Sequence, residues 1–486
     1  LPVLAVTGMH GYIHIGNLEP QVIDRSVSPL DSVRLKVNLP SIKDEKDIEE
    51  STLKINKAIL ELWRNGGGPV HINMPWNDGN FDFTVRELPK VRVIKRFTNT
   101  DFLPDIKEGK IAVYIGTHAE FNQDQTVKLD AFCRAWNAVA ICEHTSKYYG
   151  KYRVQLGLAV IQKAEFEILR DIKLLIHIGE EPGDDAVKRN LYQVAEVWRV
   201  NPDGEIRDTF RKLTNVFAME EEDFFARYAS GKEAGDDSYL KQCCGIQNEI
   251  MSTLPELPFS SVYAASKIAP SLPKGSVLHL GVSDTIRAWN MFPLPEGVRS
   301  SCNSGCRGID GSVSALVGAS LAERGLLYFG VVGDLTFFYD MNALGNHNIT
   351  ENLRLMVVNN NGGSVLRRGG VAQVWLGEEQ ADKYVVASGH FGNQSPRLMK
   401  HFAEDLGFEY LTAGNKEEFD SAATRFLTPE KAGHPMLFEV FTDPQQDMEA
   451  FQMMERIIMD TKGKAKDMLK NALGKQGVTI AKRLIK

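Results

Sequence analysis

Residues 326–363 contain two apolar runs that each end in polar residues, and this pattern constrains the fold more than any other part of the chain. The first run ends at Gly333 and Asp334, and the second ends at Asn359 and Asn360. Between them, apolar side chains recur at helical spacing, at Phe337, Phe338, Met341 and Leu344. The pattern predicts one β-α-β unit with parallel strands, so both strands end at the same edge of the sheet.

That edge is where α/β sheets bind ligands, and here it carries oxygen donors of the kind that Mg²⁺ prefers. We predict that the Asp334 carboxylate, the Asn360 amide oxygen and the Gly362 backbone carbonyl bind the metal. The remaining octahedral positions suit two phosphate oxygens and a water. The backbone N–H groups of Leu335 and Thr336, which open the helix, can receive a diphosphate. An ordinary β-α loop with polar residues is the alternative.

Three segments of the chain alternate strand and helix patterns, which indicates an α/β protein with parallel sheets. The 486 residues exceed what one ordinary core buries, so several domains are expected. The apolar run PVLAVT near the start predicts a buried strand, and the polar stretch 77–108 predicts a linker. The predicted units are residues 1–90, 108–228 and 245–445, with a helical tail at 446–486.

The composition argues against several classes of partner. A formal net charge of −7 argues against a nucleic-acid-binding surface, which usually needs a basic excess. No apolar run approaches the roughly 18 residues that span a bilayer, so no membrane span is predicted. The six cysteines lack zinc-type spacing and are sparse for a disulfide scaffold, which is typical of reduced thiols in the cytoplasm.

The GD motif that ends in NNNGG resembles that of the thiamine-diphosphate-dependent enzymes, which share the pyruvate decarboxylase type of fold. The residues of this motif are most similar to those of the menaquinone-pathway branch, the 2-succinyl-5-enolpyruvyl-6-hydroxy-3-cyclohexene-1-carboxylate synthases. The likeness extends to LGVSDTIRAW (280–289), RGIDGSVSALVG (307–318) and GGGPVHINMPW (66–76). It implies three parallel-sheet α/β domains: the end of a pyrimidine-binding domain, a central domain and a diphosphate-binding domain.

The resemblance also implies thiamine diphosphate and Mg²⁺ as cofactors, in an enzyme that is cytoplasmic and a homodimer or homotetramer. In the family, the cofactor lies between the first domain of one subunit and the third domain of its partner. The implied reaction is decarboxylation of a 2-oxo acid, with 2-oxoglutarate as the expected substrate, followed by carbon–carbon addition to an acceptor. A simple 2-oxo-acid decarboxylase, an acetolactate-type synthase and a non-catalytic cofactor-binding relative are the alternatives.

Individual roles carry over by position within the resemblance. Ser283 and Arg287 match residues that line the active site of the branch, and the Arg287 fork suits a second substrate carboxylate. Ile309 matches the apolar residue on which the cofactor bends, and Gln21 matches a glutamine that reaches the reaction centre. Taken singly, Ser283 could instead be a turn residue, Arg287 a surface helix residue and Ile309 an ordinary core residue. The residues implied to contact the cofactor are Ser283, Gly308, Ile309, Gly333, Asp334, Leu335, Thr336, Asn360, Gly362, Gly363 and Ser364.

The chain departs from the branch at positions that bear on the substrate. Ser304 occupies the place of an arginine, while Arg307 lies three residues later. Arg367 and Arg368 follow the NNNGG turn and could bind an acidic substrate, although a solvated loop is the more ordinary explanation. We further expect the chain to lack the first part of its first domain, because the catalytic glutamate that the family uses there matches no residue of this sequence.

Overall fold

The computed structural model describes residues 1–10, 15, 24–27, 31–75, 84, 86–87, 90–162, 167–368, 375–388, 395–431 and 433–458. Within these described residues, the strands form three sheets of three, seven and six strands, built from parallel pairs. The predicted α/β class with parallel sheets is therefore confirmed. Among the helices in these described stretches, none has the length and apolar character needed to cross a membrane.

The strands are numbered here in chain order. They are β1 (Leu4–Met9), β2 (Leu35–Asn38), β3 (Val70–Pro75), β4 (Lys95–Thr98), β5 (Lys110–Ile115), β6 (Val139–Cys142), β7 (Arg153–Val154), β8 (Ile172–Ile178), β9 (Val197–Val200), β10 (Leu213–Ala218), β11 (Val277–Leu280), β12 (Arg299–Cys302), β13 (Tyr328–Gly333), β14 (Leu353–Asn359), β15 (Glu409–Ala413) and β16 (Met436–Phe441).

The α-helices fall between these strands and after the last of them. They are Glu45–Glu61, Gln123–Ala135, Gly157–Val160, Asp185–Asn190, Glu221–Ala229, Ser238–Ser252, Ser261–Ile268, Asp284–Trp289, Ser312–Ala322, Asp334–Asp340, Ser364–Arg368, Glu378–Tyr384, Leu398–Asp405, Lys416–Phe426 and Pro444–Met454. The domain boundaries predicted from the sequence remain predictions.

The chain divides into two compact units, of which the first comprises Leu1–Gly109, Lys173–His177 and Val194–Arg227. Its three-stranded sheet has the order β1-β3-β2, and four further strands lie in the order β4-β10-β9-β8. The helix Glu45–Glu61 begins after Asp44, whose side chain accepts hydrogen bonds from two backbone N–H groups of the first turn. This cap satisfies donors that have no partner inside the helix.

The second compact unit comprises Lys110–Ile172, Ile178–Gln193 and Tyr228–Lys486. It contains strands in the order β5-β6-β7 and a six-stranded sheet in the order β12-β11-β13-β14-β16-β15. The two strands of the predicted β-α-β unit, β13 and β14, are neighbours in the middle of this sheet, and they pair in parallel. Every side chain of the candidate site that is described below belongs to this unit.

Strand β14 is buried on both of its faces. Leu355 and Val357 pack in one apolar core, whereas Met356 and Val358 pack in another. This double burial explains why residues 355–358 are continuously apolar instead of alternating apolar and polar residues. The register pairs Gly333 of β13 with Val358 of β14, so the two strands end together at the same edge, as the sequence predicts.

Two local predictions are wrong. The run PVLAVT forms β1, but this strand is not buried: Leu4 and Val6 are 43% and 51% exposed. The reason is that, among the described strands, β1 lies at the edge of its sheet and pairs with β3 alone, so fewer neighbours cover it. The stretch 77–108 is not linker throughout, because Lys95–Thr98 pairs with β10 as strand β4.

Candidate active site

Asp334 lies at the junction of β13 and the helix Asp334–Asp340, and it is almost completely buried, with 4% of its surface exposed. Its Oδ1 accepts a hydrogen bond of 2.8 Å from the backbone N–H of Leu335. Its Oδ2 accepts a hydrogen bond of 2.9 Å from the backbone N–H of Gly362. The second bond joins the end of β13 to the turn after β14, so two of the three residues predicted to bind the metal, Asp334 and Gly362, are in direct contact.

The Asp334 carboxylate is a buried negative charge without a cationic partner among the described residues. Its neighbours are backbone N–H groups, and the structure records no lysine or arginine within ion-pair distance in the described ranges. Burial raises the pKa of Asp334 to about 6, even though the backbone N–H groups of Leu335 and Gly362 favour the ionised form. A bound cation would relieve this penalty, so the site fits the predicted magnesium ion.

Asn360 is the first residue after β14, and its side chain is buried. Its Nδ2 donates a hydrogen bond of 2.8 Å to Oδ2 of Asp447. Because the amide nitrogen is directed at Asp447, the amide oxygen is the atom that remains for a metal ion. This orientation is compatible with the predicted role of Asn360 as a metal ligand, which remains a prediction.

Asp447 is a buried hydrogen-bond partner of the candidate site that the sequence analysis did not identify. It lies in the helix Pro444–Met454, and burial raises the pKa of its carboxyl group. The signal that could have identified it is its position on the buried stripe of that helix, because an acidic residue on an apolar stripe needs a specific partner. The buried residues of this helix are Asp447, Ala450, Phe451 and Met454.

The turn Asn360–Gly363 requires glycine at position 362. Gly362 has a φ of +142°, and a Cβ atom there would lie 3.0 Å from the backbone oxygen of Val386. The Gly363 N–H donates to that same oxygen at 2.7 Å, so the segment around Val386 closes over the turn. The Gly362 carbonyl accepts a hydrogen bond of 3.1 Å from the Ser364 N–H, and its role as a metal ligand remains a prediction.

The first turn of the helix that follows β13 contains Leu335 and Thr336, the two residues predicted to receive a diphosphate. The Leu335 N–H donates a hydrogen bond to the Asp334 carboxylate in this conformation. Thr336 is buried in the same first turn, and Gly333 is the last residue of β13. The contribution of these residues to diphosphate binding remains a prediction.

Ser283 and Arg287 lie at the start and one turn into the short helix Asp284–Trp289. Ser283 has a φ of +67°, an unusual backbone conformation for a residue that is not glycine. The Arg287 guanidinium lies between two carboxylates: Nη1 is 3.3 Å from Oδ1 of Asp284, and Nε is 3.7 Å from Oδ1 of Asp184. With 26% of its side chain exposed, Arg287 is a partly buried, oriented residue, unlike an ordinary surface arginine.

Asp284 connects this arginine to the metal-site turn. The Ser364 hydroxyl donates a hydrogen bond of 3.1 Å to Oδ2 of Asp284, while Oδ1 of the same carboxylate faces Arg287. Ser364 begins the helix that follows the NNNGG turn. The structure therefore brings Asp334, Gly362, Ser364 and Arg287 into one connected polar network, in which Asp284 is a member that the sequence analysis missed.

The loop between β12 and the helix Ser312–Ala322 holds the positions that depart from the branch. The buried Ser304 hydroxyl shares a hydrogen bond of 3.2 Å with Thr117 and donates to the Glu181 backbone oxygen at 3.3 Å. Arg307 forms an ion pair of 3.2 Å with the Glu181 carboxylate. Ser304 and Arg307 thus both contact Glu181, in the segment that follows β8. The loop between β12 and the helix Ser312–Ala322 also contains Gly308 and the half-buried Ile309.

The remaining predicted residues are Arg367, Arg368 and Gln21. The Arg367 Nε donates a hydrogen bond of 2.9 Å to Asp382, and its guanidinium also contacts Ser388, so it binds the segment after the turn. Two of its donors therefore bind protein acceptors, and the hypothesis that Arg367 binds an acidic substrate remains a prediction. The Arg368 side chain and Gln21 lie outside the described residues.

Comparisons with known proteins give one consistent result. The chain is 30% identical over 466 residues to the 2-succinyl-5-enolpyruvyl-6-hydroxy-3-cyclohexene-1-carboxylate synthase of Phocaeicola vulgatus, which covers 92% of this chain and 80% of that protein. The synthase of the same name from Bacteroides thetaiotaomicron is 30% identical over 465 residues, with the same coverage of 92% and 80%. The one from Bacteroides fragilis is 30% identical over 437 residues, or 85% and 75%. No family model matches the chain.

Proposed function

Because this chain belongs to the family of 2-succinyl-5-enolpyruvyl-6-hydroxy-3-cyclohexene-1-carboxylate synthases, which are thiamine-diphosphate-dependent enzymes, we propose that it decarboxylates 2-oxoglutarate and joins the remaining carbons to an acceptor. The observation that carries this proposal is the buried Asp334 carboxylate. It lacks a cationic side-chain partner among the described residues, and it is hydrogen-bonded to the turn that contains Asn360 and Gly362. A magnesium ion coordinated by a cofactor diphosphate is the partner that this donor set suits.

Magnesium would be held by Asp334, by the amide oxygen of Asn360 and by the carbonyl of Gly362. The cofactor would lie against the remaining residues that the resemblance implies. They are Ser283, Gly308, Ile309, Gly333, Leu335, Thr336, Gly363 and Ser364. When bound, thiamine diphosphate supplies a nucleophilic carbon that accepts a 2-oxo acid and allows carbon dioxide to leave.

The protein's own side chains then have distinct tasks in this proposal. Arg287 binds the distal carboxylate of the substrate, and Asp184 and Asp284 keep its guanidinium in place. Ser283 would line the site at the start of the same helix, and Ile309 would support the bound cofactor, as the resemblance implies. Gln21 reaches the reaction centre, as the resemblance implies. Partial burial of Arg287 and its two carboxylate partners strengthens the electrostatic interactions that orient the substrate.

The substrate assignment follows from the chemistry of the product in the relatives' name. A succinyl group is what remains of 2-oxoglutarate after carbon dioxide leaves. A cyclohexene carboxylate that bears a hydroxyl and an enolpyruvyl group then corresponds to an acceptor with one more ring double bond. Both partners are carboxylates, so the site must bind several negative charges, and arginine is the residue suited to that task.

A product assay tests the proposed function. The purified protein with thiamine diphosphate, Mg²⁺, 2-oxoglutarate and a cyclohexadiene carboxylate bearing hydroxyl and enolpyruvyl groups is expected to form the succinyl adduct, detected by mass spectrometry. Product should fall to background when either cofactor is omitted, because the diphosphate and the metal bind together.

The same assay separates the alternatives. Carbon dioxide release from 2-oxoglutarate without any acceptor would indicate a simple decarboxylase. Coupling of two pyruvate molecules would indicate an acetolactate-type synthase. Cofactor binding without turnover of any of these substrates would indicate a non-catalytic relative. Each of these results would contradict the proposal.

We also expect a homodimer or homotetramer, since in the family two subunits contribute to each active site. Light scattering coupled to size-exclusion chromatography, at micromolar protein with the cofactors present, is expected to give at least twice the 54.2 kDa chain mass. A single species at the mass of one chain would contradict this expectation.

A further inference from the structure

Asp447 makes a set of contacts that bears on the metal site without reaching it. Its Oδ2 accepts hydrogen bonds from Asn360 Nδ2 at 2.8 Å and from the Thr442 hydroxyl at 2.9 Å. Its Oδ1 accepts a hydrogen bond of 2.6 Å from the backbone N–H of Ser261. All three partners are donors, so both oxygens act as acceptors, as in an ionised carboxylate. With 2% of its surface exposed, Asp447 is held in one orientation.

The direction of the Asn360 amide decides whether this residue can bind a cation. A terminal amide has an oxygen that accepts and a nitrogen that donates, and rotation by half a turn exchanges them. With the oxygen towards the cofactor, Asn360 supplies a metal ligand; with the nitrogen there, it presents two partial positive charges to the cation. A purely acceptor group behind the nitrogen favours the first orientation and disfavours the second.

We propose that Asp447 is a positioning residue for the cofactor metal: it holds the Asn360 amide by its nitrogen, so that the amide oxygen faces the ion. The inference rests on the proposed function for the presence of a metal, and it adds which residue orients one of its ligands. The three partners of Asp447 come from separate elements, because Ser261 begins one helix and Thr442 follows β16. The orientation of Asn360 is therefore set by the assembled fold.

The first test replaces Asp447 by asparagine, which keeps the shape of the side chain. The oxygen of the new amide can still accept from Ser261 or Thr442, but its nitrogen now competes as a donor towards Asn360. We expect the Kd of Mg²⁺, titrated calorimetrically in saturating thiamine diphosphate, to rise by roughly 10–100-fold, the usual effect of removing a group that orients a metal ligand. Unchanged affinity would reject the inference.

A swap of the two side chains distinguishes positioning from a general structural role. In the double variant Asp447→Asn with Asn360→Asp, the carboxylate now at position 360 can accept from the new amide with one oxygen and face the metal with the other. We expect the double variant to recover most of the lost magnesium affinity, as a strongly non-additive pair does. If it binds magnesium no better than Asp447→Asn alone, Asp447 does not act through Asn360.

Asp443→Asn is the matched control for the loss of one negative charge. Asp443 is exposed and caps the same helix, and asparagine is an equally good capping residue. We expect its magnesium affinity to equal that of the wild type; a loss like that of Asp447→Asn would mean that charge alone explains the effect. If the wild type does not bind the cofactors, both the proposed function and the positioning role are rejected. If the wild type binds them and Asp447→Asn has the same magnesium affinity, only the positioning role is rejected.

Discussion

Replacing Asp334 by alanine is expected to weaken the magnesium-dependent binding of thiamine diphosphate by about 100–1,000-fold, which corresponds to about 3–4 kcal/mol. The carboxylate is the one charged group among the proposed protein ligands. Without it, the metal loses a charged ligand, and the cofactor phosphates are less completely neutralised. Calorimetric titration of the variant with cofactor and Mg²⁺ measures the effect, and unchanged affinity would remove Asp334 from the metal site.

The isosteric variant Asp334→Asn shows whether the loss is one of binding or of folding. Burial raises the pKa of Asp334 from the ordinary 3.8 to about 6, so the ionised form disfavours the metal-free fold. This penalty is fully present above pH 6, develops between about pH 4 and 6, and is absent below, where the group is protonated in both the folded and the unfolded state. At pH 7.5 we therefore expect the metal-free variant to be at least as stable to thermal unfolding as the wild type, although its cofactor affinity is low.

Asp405→Asn is a suitable control for this pair of measurements. Asp405 is an exposed residue at the end of the helix Leu398–Asp405 in the same compact unit. Its replacement removes one negative charge without touching the site, so both the cofactor affinity and the thermal stability should remain those of the wild type. A similar loss of affinity in this variant would mean that net charge, and not coordination, explains the result for Asp334.

Arg287→Ala is expected to raise the KM for 2-oxoglutarate by well over tenfold and to leave the KM for pyruvate nearly unchanged, since loss of a buried charge partner costs about 2–5 kcal/mol. The structure adds a reason: Arg287 is held between Asp184 and Asp284, so its guanidinium is oriented before the substrate binds. A guanidinium has five N–H donors, and these two contacts leave donors for a substrate carboxylate. Steady-state kinetics with both oxo acids measure the difference.

Arg307→Ala tests the competing assignment. Arg307 lies three residues after the position where the branch carries an arginine, but it forms an ion pair with Glu181 and is 40% exposed on its side chain. We expect its replacement to change the KM for 2-oxoglutarate by less than about threefold, because an exposed ion pair contributes little. The assignment of Arg287 fails if Arg307→Ala shows the larger effect, or if Arg287→Ala affects both oxo acids equally.

The β-α-β unit could be predicted from the sequence because its determinants are local. Continuous apolar runs mark strands that are buried on both faces, and a helical pattern between them requires a parallel return. Asp334 and Asn360 follow those strands directly, so their meeting at one edge follows from connectivity alone, and the structure has them there. The glycine at position 362 was also predictable, since the turn needs a φ that other residues rarely adopt.

Burial and long-range pairing could not be predicted in the same way. The run PVLAVT has the composition of a central strand, yet among the described strands it lies at a sheet edge, because strand order depends on segments distant in sequence. Strand β4 lies in a polar stretch that has no strong strand pattern, and its pairing with β10 makes it a strand. In both cases the outcome depended on which neighbours the rest of the fold supplied.

The sequence by itself therefore determined the fold class, the cofactor motif and the shared edge at which its ligands meet, because each depends on residues close together in the chain. Only the tertiary structure decided how those ligands are held. Asp447 reaches Asn360 across 87 positions of sequence, and Asp184 reaches Arg287 from a different segment of the unit. Such contacts follow from how helices and loops pack on the finished sheet, and no local periodicity encodes them.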